Sequence, residues 1–144
     1  MNEAAAPALL AATVAALTDE HARMLALVQQ GRLALLDGDG AAARAVHDTL
    51  ATLHAHHAEQ EERDVLPRLG EGARWPVKVY AAEHDKLAQL ATALRARLAD
   101  VPAHIDDRAL RLALIDAHHP LQHLMEHHFA REEQGLFDEC LAAC

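Results

Sequence analysis

The chain has 144 residues, a length typical of one domain, and we predict a single domain over residues 1–144. Its formal net charge is −9 and its basic residues form no cluster, so we expect no nucleic acid among its partners. Alanine and leucine are abundant, and only 3% of the residues are aromatic. This composition favours an all-α fold.

Residues near the two ends of the chain indicate the cellular compartment of the protein. The N-terminal run AAAPALLAATVAAL is apolar but follows no basic residue, so we interpret it as the start of a helix rather than as a signal peptide. No apolar run reaches the roughly 18 residues of a membrane span, and we expect no membrane partner. Near the C-terminus we expect Cys140 and Cys144 to be thiols rather than a disulfide or a metal site. These features predict a cytoplasmic protein.

Apolar side chains recur at three- and four-residue spacing and predict four long helices. The predicted ranges are 7–36, 41–66, 76–99 and a fourth from about 106 towards 140. Asp39 and Asp106 are the predicted N-caps of the second and fourth helices. Pro120 falls inside the fourth helix and should kink it or divide it in two. The short turns favour an antiparallel up-down-up-down four-helix bundle.

One stretch of twelve residues occurs twice, on the second and fourth predicted helices. The copies are HHAEQEERDVLP at 56–67 and HHFAREEQGLFD at 127–138. Each contains a histidine four residues before a glutamate: His57 with Glu61, and His128 with Glu132. Residues four apart lie on the same face of a helix, so each copy directs one imidazole and one carboxylate the same way. Such a pair can bind iron, manganese or zinc.

A second, shorter repeat lies on the first and third predicted helices. EHARM at 20–24 and EHDKL at 83–87 share the pattern Glu-His-x-basic-apolar, and both histidines, His21 and His84, fall on apolar faces. A single His-x-x-x-Glu pair is usually a hydrogen bond on a helix surface. Two such pairs, each with an inward histidine on the preceding helix, favour a metal site instead.

The chemistry of this set suggests two ions rather than one. Buried glutamates without a partner would cost several kcal/mol each. Four imidazoles and two carboxylates are too many for a closed tetrahedral zinc site, whereas a glutamate can bridge two ions through its two oxygens. A nitrogen and carboxylate site without cysteine favours iron or manganese over structural zinc. The predicted ligands are His21, His57, Glu61, His84, His128 and Glu132.

These residues and their order resemble the haemerythrin-like family, also called the His-His-Glu cation-binding domain. Over nearly the whole chain, the resemblance implies two iron ions bridged by the carboxylates and an oxo or hydroxo group, with manganese or zinc as possible substitutes. It also implies reversible binding or sensing of dioxygen or a similar small ligand, or related iron and nitric-oxide chemistry, and we favour a binding or sensing protein over an enzyme. Two alternatives stay open: a di-iron enzyme that handles peroxide, nitric oxide or iron oxidation, and a metal buffer without a redox role.

The chain departs from the oxygen-carrying members of that family at two positions. Those proteins have a second histidine on the third helix, where this chain has Ala88, and an aspartate five residues after the fourth-helix histidine, where this chain has Glu132 four residues on. The missing imidazole leaves an open position, for which Tyr80, one turn before His84, is the nearest candidate. His54 lies one turn before His57, and we expect both residues to support the ligands rather than bind metal. The other histidines are predicted to be exposed: His47, His56, His104, His118, His119, His123 and His127.

Overall fold

A computed structural model describes residues 5–143, and this part of the chain is all-helical, with no strand. The helices are α1 Ala5–Leu36, α2 Gly40–Asp64, α3 Val77–Ala99, α4 Arg108–Asp116, α5 His119–Arg131 and α6 Asp138–Ala142. A 3₁₀ turn, Leu66–Arg68, follows α2, and a π-helix, Glu132–Phe137, joins α5 to α6. α1, α2, α3 and the segment from α4 to α6 form a four-helix bundle.

The fourth helical segment is divided, as the position of Pro120 predicts. α4 ends at Asp116, and α5 begins at His119 with the proline in its first turn. A proline is tolerated there because the first amides of a helix have no partner within the helix. The predicted N-cap of this segment was one residue too early. Asp107, not Asp106, caps α4, since its Oδ1 accepts hydrogen bonds from two backbone amides at 2.9 and 3.3 Å.

The turn between α1 and α2 follows the prediction, whereas the end of α2 does not. Gly38 has φ +76°, a conformation that glycine adopts without strain, and Asp39 caps α2 by accepting from the Ala42 amide at 2.9 Å. α2 ends at Asp64 rather than at residue 66. Pro67 lies at the start of the 3₁₀ turn that follows, where the missing backbone N–H of proline interrupts no hydrogen bond of the turn.

Two apolar clusters fill the bundle, and the predicted ligands lie between them. One cluster includes Met24, Leu50, Leu87 and Met125. The other includes Leu17, Val65, Tyr80 and Leu136. On each of the four helical segments, at least one predicted ligand lies in the sequence between a residue of one cluster and a residue of the other. The fold therefore places the predicted ligands as a polar layer between two apolar clusters.

Two of the histidines predicted to be exposed are instead buried. The exposed fraction is 1% for His47 and 0% for His118, and their Nε2 atoms are 2.8 Å apart. Gly31 leaves the space for this pair, because a Cβ there would lie 2.7 Å from Nε2 of His47. The other five histidines of that group are exposed as predicted.

The described part of the chain has no helix that combines the length and the apolar character needed to cross a membrane. Cys140 is buried rather than on a frayed surface, and its Sγ lies 3.6 Å from the carbonyl oxygen of Val65. Cys144 lies outside the described residues.

Candidate metal centre

The structure brings all six predicted ligands together in the polar layer. His21 comes from α1, His84 from α3, and the two His-x-x-x-Glu pairs come from α2 and from the junction of α5 with the π-helix. All six are buried, with exposed fractions of 4% or less. Each histidine directs Nε2 towards the interior, where the two carboxylates lie.

Glu61 and Glu132 are the centre of this layer. Glu61 lies 3.2 Å from Nε2 of His57 and 3.1 Å from Nε2 of His84. Glu132 lies 2.8 Å from Nε2 of His21, 3.1 Å from Nε2 of His128 and 3.3 Å from Nε2 of His84. Each carboxylate therefore contacts histidines of more than one helix.

Four further glutamates hold the outward nitrogens of the same histidines. The Nδ1 to carboxylate distances are 2.9 Å for His57 with Glu20, and 3.0 Å for His84 with Glu62, His128 with Glu83, and His21 with Glu133. Each of the four helical segments supplies a glutamate to the histidine of the next segment, and the fourth supplies the first, so the ring closes. We call these four glutamates the outer carboxylates.

Each of the four histidines lies between an outer carboxylate at Nδ1 and an inner carboxylate, Glu61 or Glu132, at Nε2. A carboxylate only accepts hydrogen bonds, so a neutral imidazole can donate to one of the two and turns a lone pair towards the other. With the proton on Nδ1, the lone pair of Nε2 is available to a metal ion in the interior. Histidines that bind metals commonly have this arrangement, with one nitrogen on the ion and the other donating to a carboxylate.

Several inner atoms lack the partner that burial requires. Nε2 of His57, Nε2 of His128 and both oxygens of Glu61 are buried without a hydrogen bond. Their nearest charged groups are close, since Glu61 lies 3.2 Å from Nε2 of His57 and Glu132 lies 3.1 Å from Nε2 of His128. Buried polar atoms are normally paired, because an unpaired one costs free energy. A cation among these atoms would satisfy all of them, so the residues fit a metal ion.

Two of the four histidines have a lowered pKa, and the other two have a raised pKa. Burial lowers the pKa of His128 to about 4 and also lowers the pKa of His21. Those two imidazoles are therefore neutral near pH 7 and present lone pairs. Burial opposes protonation of His57 and His84 too, but the Glu61 carboxylate and the outer carboxylates outweigh it and raise their pKa.

The Glu61 carboxylate is ionised throughout the physiological range. Burial disfavours its charge, but His57 and His84 outweigh this effect and lower its pKa to about 2. A permanently charged carboxylate in an apolar core needs compensating positive charge. A metal ion would supply such charge without requiring that His57 and His84, which contact Glu61, be protonated.

The six residues divide into two sets of four that share both carboxylates. One set is His21, His57, Glu61 and Glu132, and the other is Glu61, His84, His128 and Glu132. Within each set, one nitrogen or oxygen atom per residue lies within 4.8 Å of the others. Each set has two imidazoles and two carboxylate oxygens, so the buried clusters can hold a metal ion.

The π-helix begins at one of the two shared carboxylates, Glu132. Such widened turns are rare and often occur at functional sites. Close packing accompanies this turn, because a Cβ on Gly135 would lie 2.7 Å from Trp75 and 2.9 Å from the Tyr80 hydroxyl. We infer that the glycine permits this turn to pack beside the centre.

Tyr80 and His54, the two predicted supporting residues, differ in their surroundings. Tyr80 is fully buried in an apolar cluster, and burial raises its pKa to about 12. None of the hydrogen bonds of the centre involves Tyr80 among residues 5–143. His54 is half-buried on α2, with its ring 6.2 Å from the ring of His84 and at 78° to it.

The outer carboxylates are the part of the centre that sequence reasoning missed. Glu62 and Glu133 follow Glu61 and Glu132 directly and turn away from the His-x-x-x-Glu pair of their own segment, but each contacts the histidine of another helix. Glu20 and Glu83 precede the lone histidines in the second repeat. The sequence therefore contained a signal for the outer carboxylates, because a further glutamate is adjacent to a predicted ligand in both His-x-x-x-Glu pairs and at both lone histidines.

Comparisons with known proteins give no relative. No protein-family model matches the chain, and neither the curated proteins nor the solved structures contain a match. The residues of the centre and their geometry are therefore the basis for inferring its function.

Proposed function

We propose that this chain is a haemerythrin-like, non-haem di-iron protein that binds or senses dioxygen at a carboxylate-bridged centre in the core of an antiparallel up-down-up-down bundle. One observation carries the proposal. Two sets of metal ligands share the same two carboxylates, Glu61 and Glu132. Because both sets use these two carboxylates, the arrangement favours two metal ions that Glu61 and Glu132 bridge.

The donor atoms support iron in preference to structural zinc. Imidazole suits iron, zinc and copper, and carboxylate oxygens suit harder ions. A site that has both imidazole and carboxylate ligands but no cysteine is typical of redox-active iron, with manganese as the nearest substitute. When bound, iron would supply reversible electron transfer to dioxygen.

The chain's own residues would orient and protect such a centre. His21, His57 and Glu61 would hold one ion, His84, His128 and Glu132 the other, with each carboxylate also reaching its neighbour. The outer carboxylates would keep each Nε2 aimed inward. Phe129 stacks on the ring of His21, with centroids 4.1 Å apart and planes at 7°, and limits water at that side.

The position of Ala88 supports an enzyme as the second candidate. The oxygen-carrying family members have an imidazole at this point, and its replacement by a methyl group leaves a coordination position for a substrate such as peroxide or nitric oxide. The third possibility from the sequence, a metal buffer, requires no open position.

Exposure of the reduced, iron-loaded protein to oxygen distinguishes these functions. A visible absorption change that reverses when oxygen is removed supports binding or sensing. Catalytic turnover of peroxide or nitric oxide supports the enzyme. Iron uptake without any spectral response to oxygen contradicts the proposal and leaves the buffer.

A further inference from the structure

Three histidines lie one turn apart along the exposed face of α5: His119, His123 and His127. The ring of His123 is 5.6 Å from that of His119 and 4.5 Å from that of His127. Among residues 5–143, the ring nitrogens of His119 and His123 form no hydrogen bond, so they are available to a ligand. None of the three histidines belongs to the candidate metal centre, whose ligand on α5, His128, is buried.

A depression of about 430 Å³ in the protein surface is lined by two of these histidines, His119 and His123. The carboxylates of Asp116 and Glu126 line the same depression. Arg32 of α1 also lines it and adds one positive charge to these two negative charges. We call this feature the α5 depression. It combines two imidazoles with a net negative charge, which favours a cation as its ligand.

The α5 depression differs from the buried centre in how far its donor atoms are already assembled. The donors of each buried set lie within 4.8 Å of one another, whereas no three donors of the α5 depression do. Its side chains are exposed, and only Glu126 is held by a hydrogen bond, from Nε2 of Gln122 at 3.0 Å. Two histidines four residues apart share one face of a helix, so rotation of their side chains can bring both imidazoles to one ion. Ordering these side chains costs entropy, so we expect weaker binding than in the core.

We propose that the α5 depression is a second metal site, where His119 and His123 bind one divalent transition-metal ion of the zinc class. Asp116 and Glu126 strengthen the binding through their negative charge, and water completes the coordination of the exposed ion. Imidazole pairs generally bind Zn²⁺ more tightly than Fe²⁺, so iron in the core leaves this site open to zinc. The exposed site shares no ligand with the buried centre and does not depend on the proposed di-iron function.

Zn²⁺ is the probe for this proposal, titrated by calorimetry into the iron-loaded protein. The wild type should bind one Zn²⁺ per chain in addition to the ions of the core. His119→Ala and His123→Ala should each raise the Kd for this Zn²⁺ at least about tenfold, because a single imidazole loses the advantage of chelation. Both residues are exposed, so both variants should keep the helix content of the wild type, measured by circular dichroism.

His127→Ala is the matched control for the two histidine variants. His127 is exposed on the same helix and also lies one turn from His123, but it does not line the α5 depression. Its removal should leave the Kd for Zn²⁺ unchanged. Weaker binding in His127→Ala, with unchanged binding in His119→Ala, would overturn the assignment of the pair. Equal Zn²⁺ binding in His123→Ala and the wild type would overturn the site.

The role of the carboxylates is tested by Asp116→Asn combined with Glu126→Gln. This double variant should raise the Kd for Zn²⁺ about two- to fivefold, the effect of a charge at the protein surface. An unchanged Kd would overturn the contribution of the two carboxylates. A wild type that takes up no iron would refute the di-iron function alone, because the wild type and His123→Ala have the same core and their difference still isolates the exposed site.

Discussion

Glu83, on α3, accepts a hydrogen bond from Nδ1 of His128, on α5, at 3.0 Å. The same oxygen accepts from Nε of Arg131 at 3.0 Å. This contact fixes the imidazole so that Nε2 faces Glu132 at 3.1 Å. Equivalent contacts orient the histidines of the other three helical segments, so the outer carboxylates set the orientation of all four imidazoles.

Glu83→Gln tests that role. The amide can still accept the hydrogen bond, but it lacks the negative charge that makes the imidazole a stronger ligand. Mutation of such a supporting residue typically lowers metal affinity 10- to 100-fold. We expect a weakening in this range for one iron of the pair, measured by competition with a chelator of known affinity.

The control for Glu83→Gln is Glu71→Gln, the same charge change at an exposed residue of the loop before α3. It should leave the iron affinity unchanged. Equal affinities in both variants would mean that the contact between Glu83 and His128 is structural only.

His128→Ala tests the division of the ligands into two sets. His128 belongs to one set only, so its removal should leave at most one iron per chain, measured by elemental analysis after anaerobic loading. Retention of two irons would remove His128 from the ligands.

His123→Ala is the matched control, because His123 is exposed on the same helix, α5. Its ring lies 5.6 Å from that of His119 and 4.5 Å from that of His127, so it also controls for metal held by exposed histidines. Loss of iron from the core in His123→Ala would contradict the assignment.

The buried pair of His47 and His118 predicts a loss of stability in acid. Burial lowers the pKa of His47 from 6.5 to about 4, and burial also lowers the pKa of His118. The unfolded chain therefore binds more protons than the folded protein between pH 6.5 and about 4. The stabilising contribution is complete above pH 6.5 and is lost as the pH falls towards 4.

The expected size of the His47 contribution is about 2 kcal/mol lost between pH 7 and pH 5, from about 1.4 kcal/mol per pKa unit. Urea unfolding of the wild type and of His47→Leu at both pH values isolates the contribution of His47 to the free energy of unfolding, because the other groups titrate in both proteins. The stability difference between the two proteins should depend on pH. Parallel pH dependence would show that folding does not lower the pKa of His47.

The sequence predicted the helices and the six inner residues because both depend on short-range periodicity. His57 and Glu61, four residues apart, share a helix face whatever the rest of the chain does. The positions of Pro120 and Asp39 likewise determine a helix start locally. The resemblance to the haemerythrin-like family stays a prediction, as does the identity of the metal.

The features that sequence reasoning missed depend on contacts between helices. Glu62 turns away from His57 on its own helix, and only the packing of α3 brings His84 against it. The burial of His47 depends in the same way on Gly31 of α1 and on His118 of the fourth segment. Spacing along one helix carries no information about such neighbours.

Metal analysis of the protein purified without added metal or chelator, before and after anaerobic loading with Fe²⁺, tests the central claim most directly. The account predicts two irons per chain after loading, with iron exceeding zinc and manganese in the protein as purified. A chain that holds no transition metal in either state, or only a single ion after loading, would contradict it.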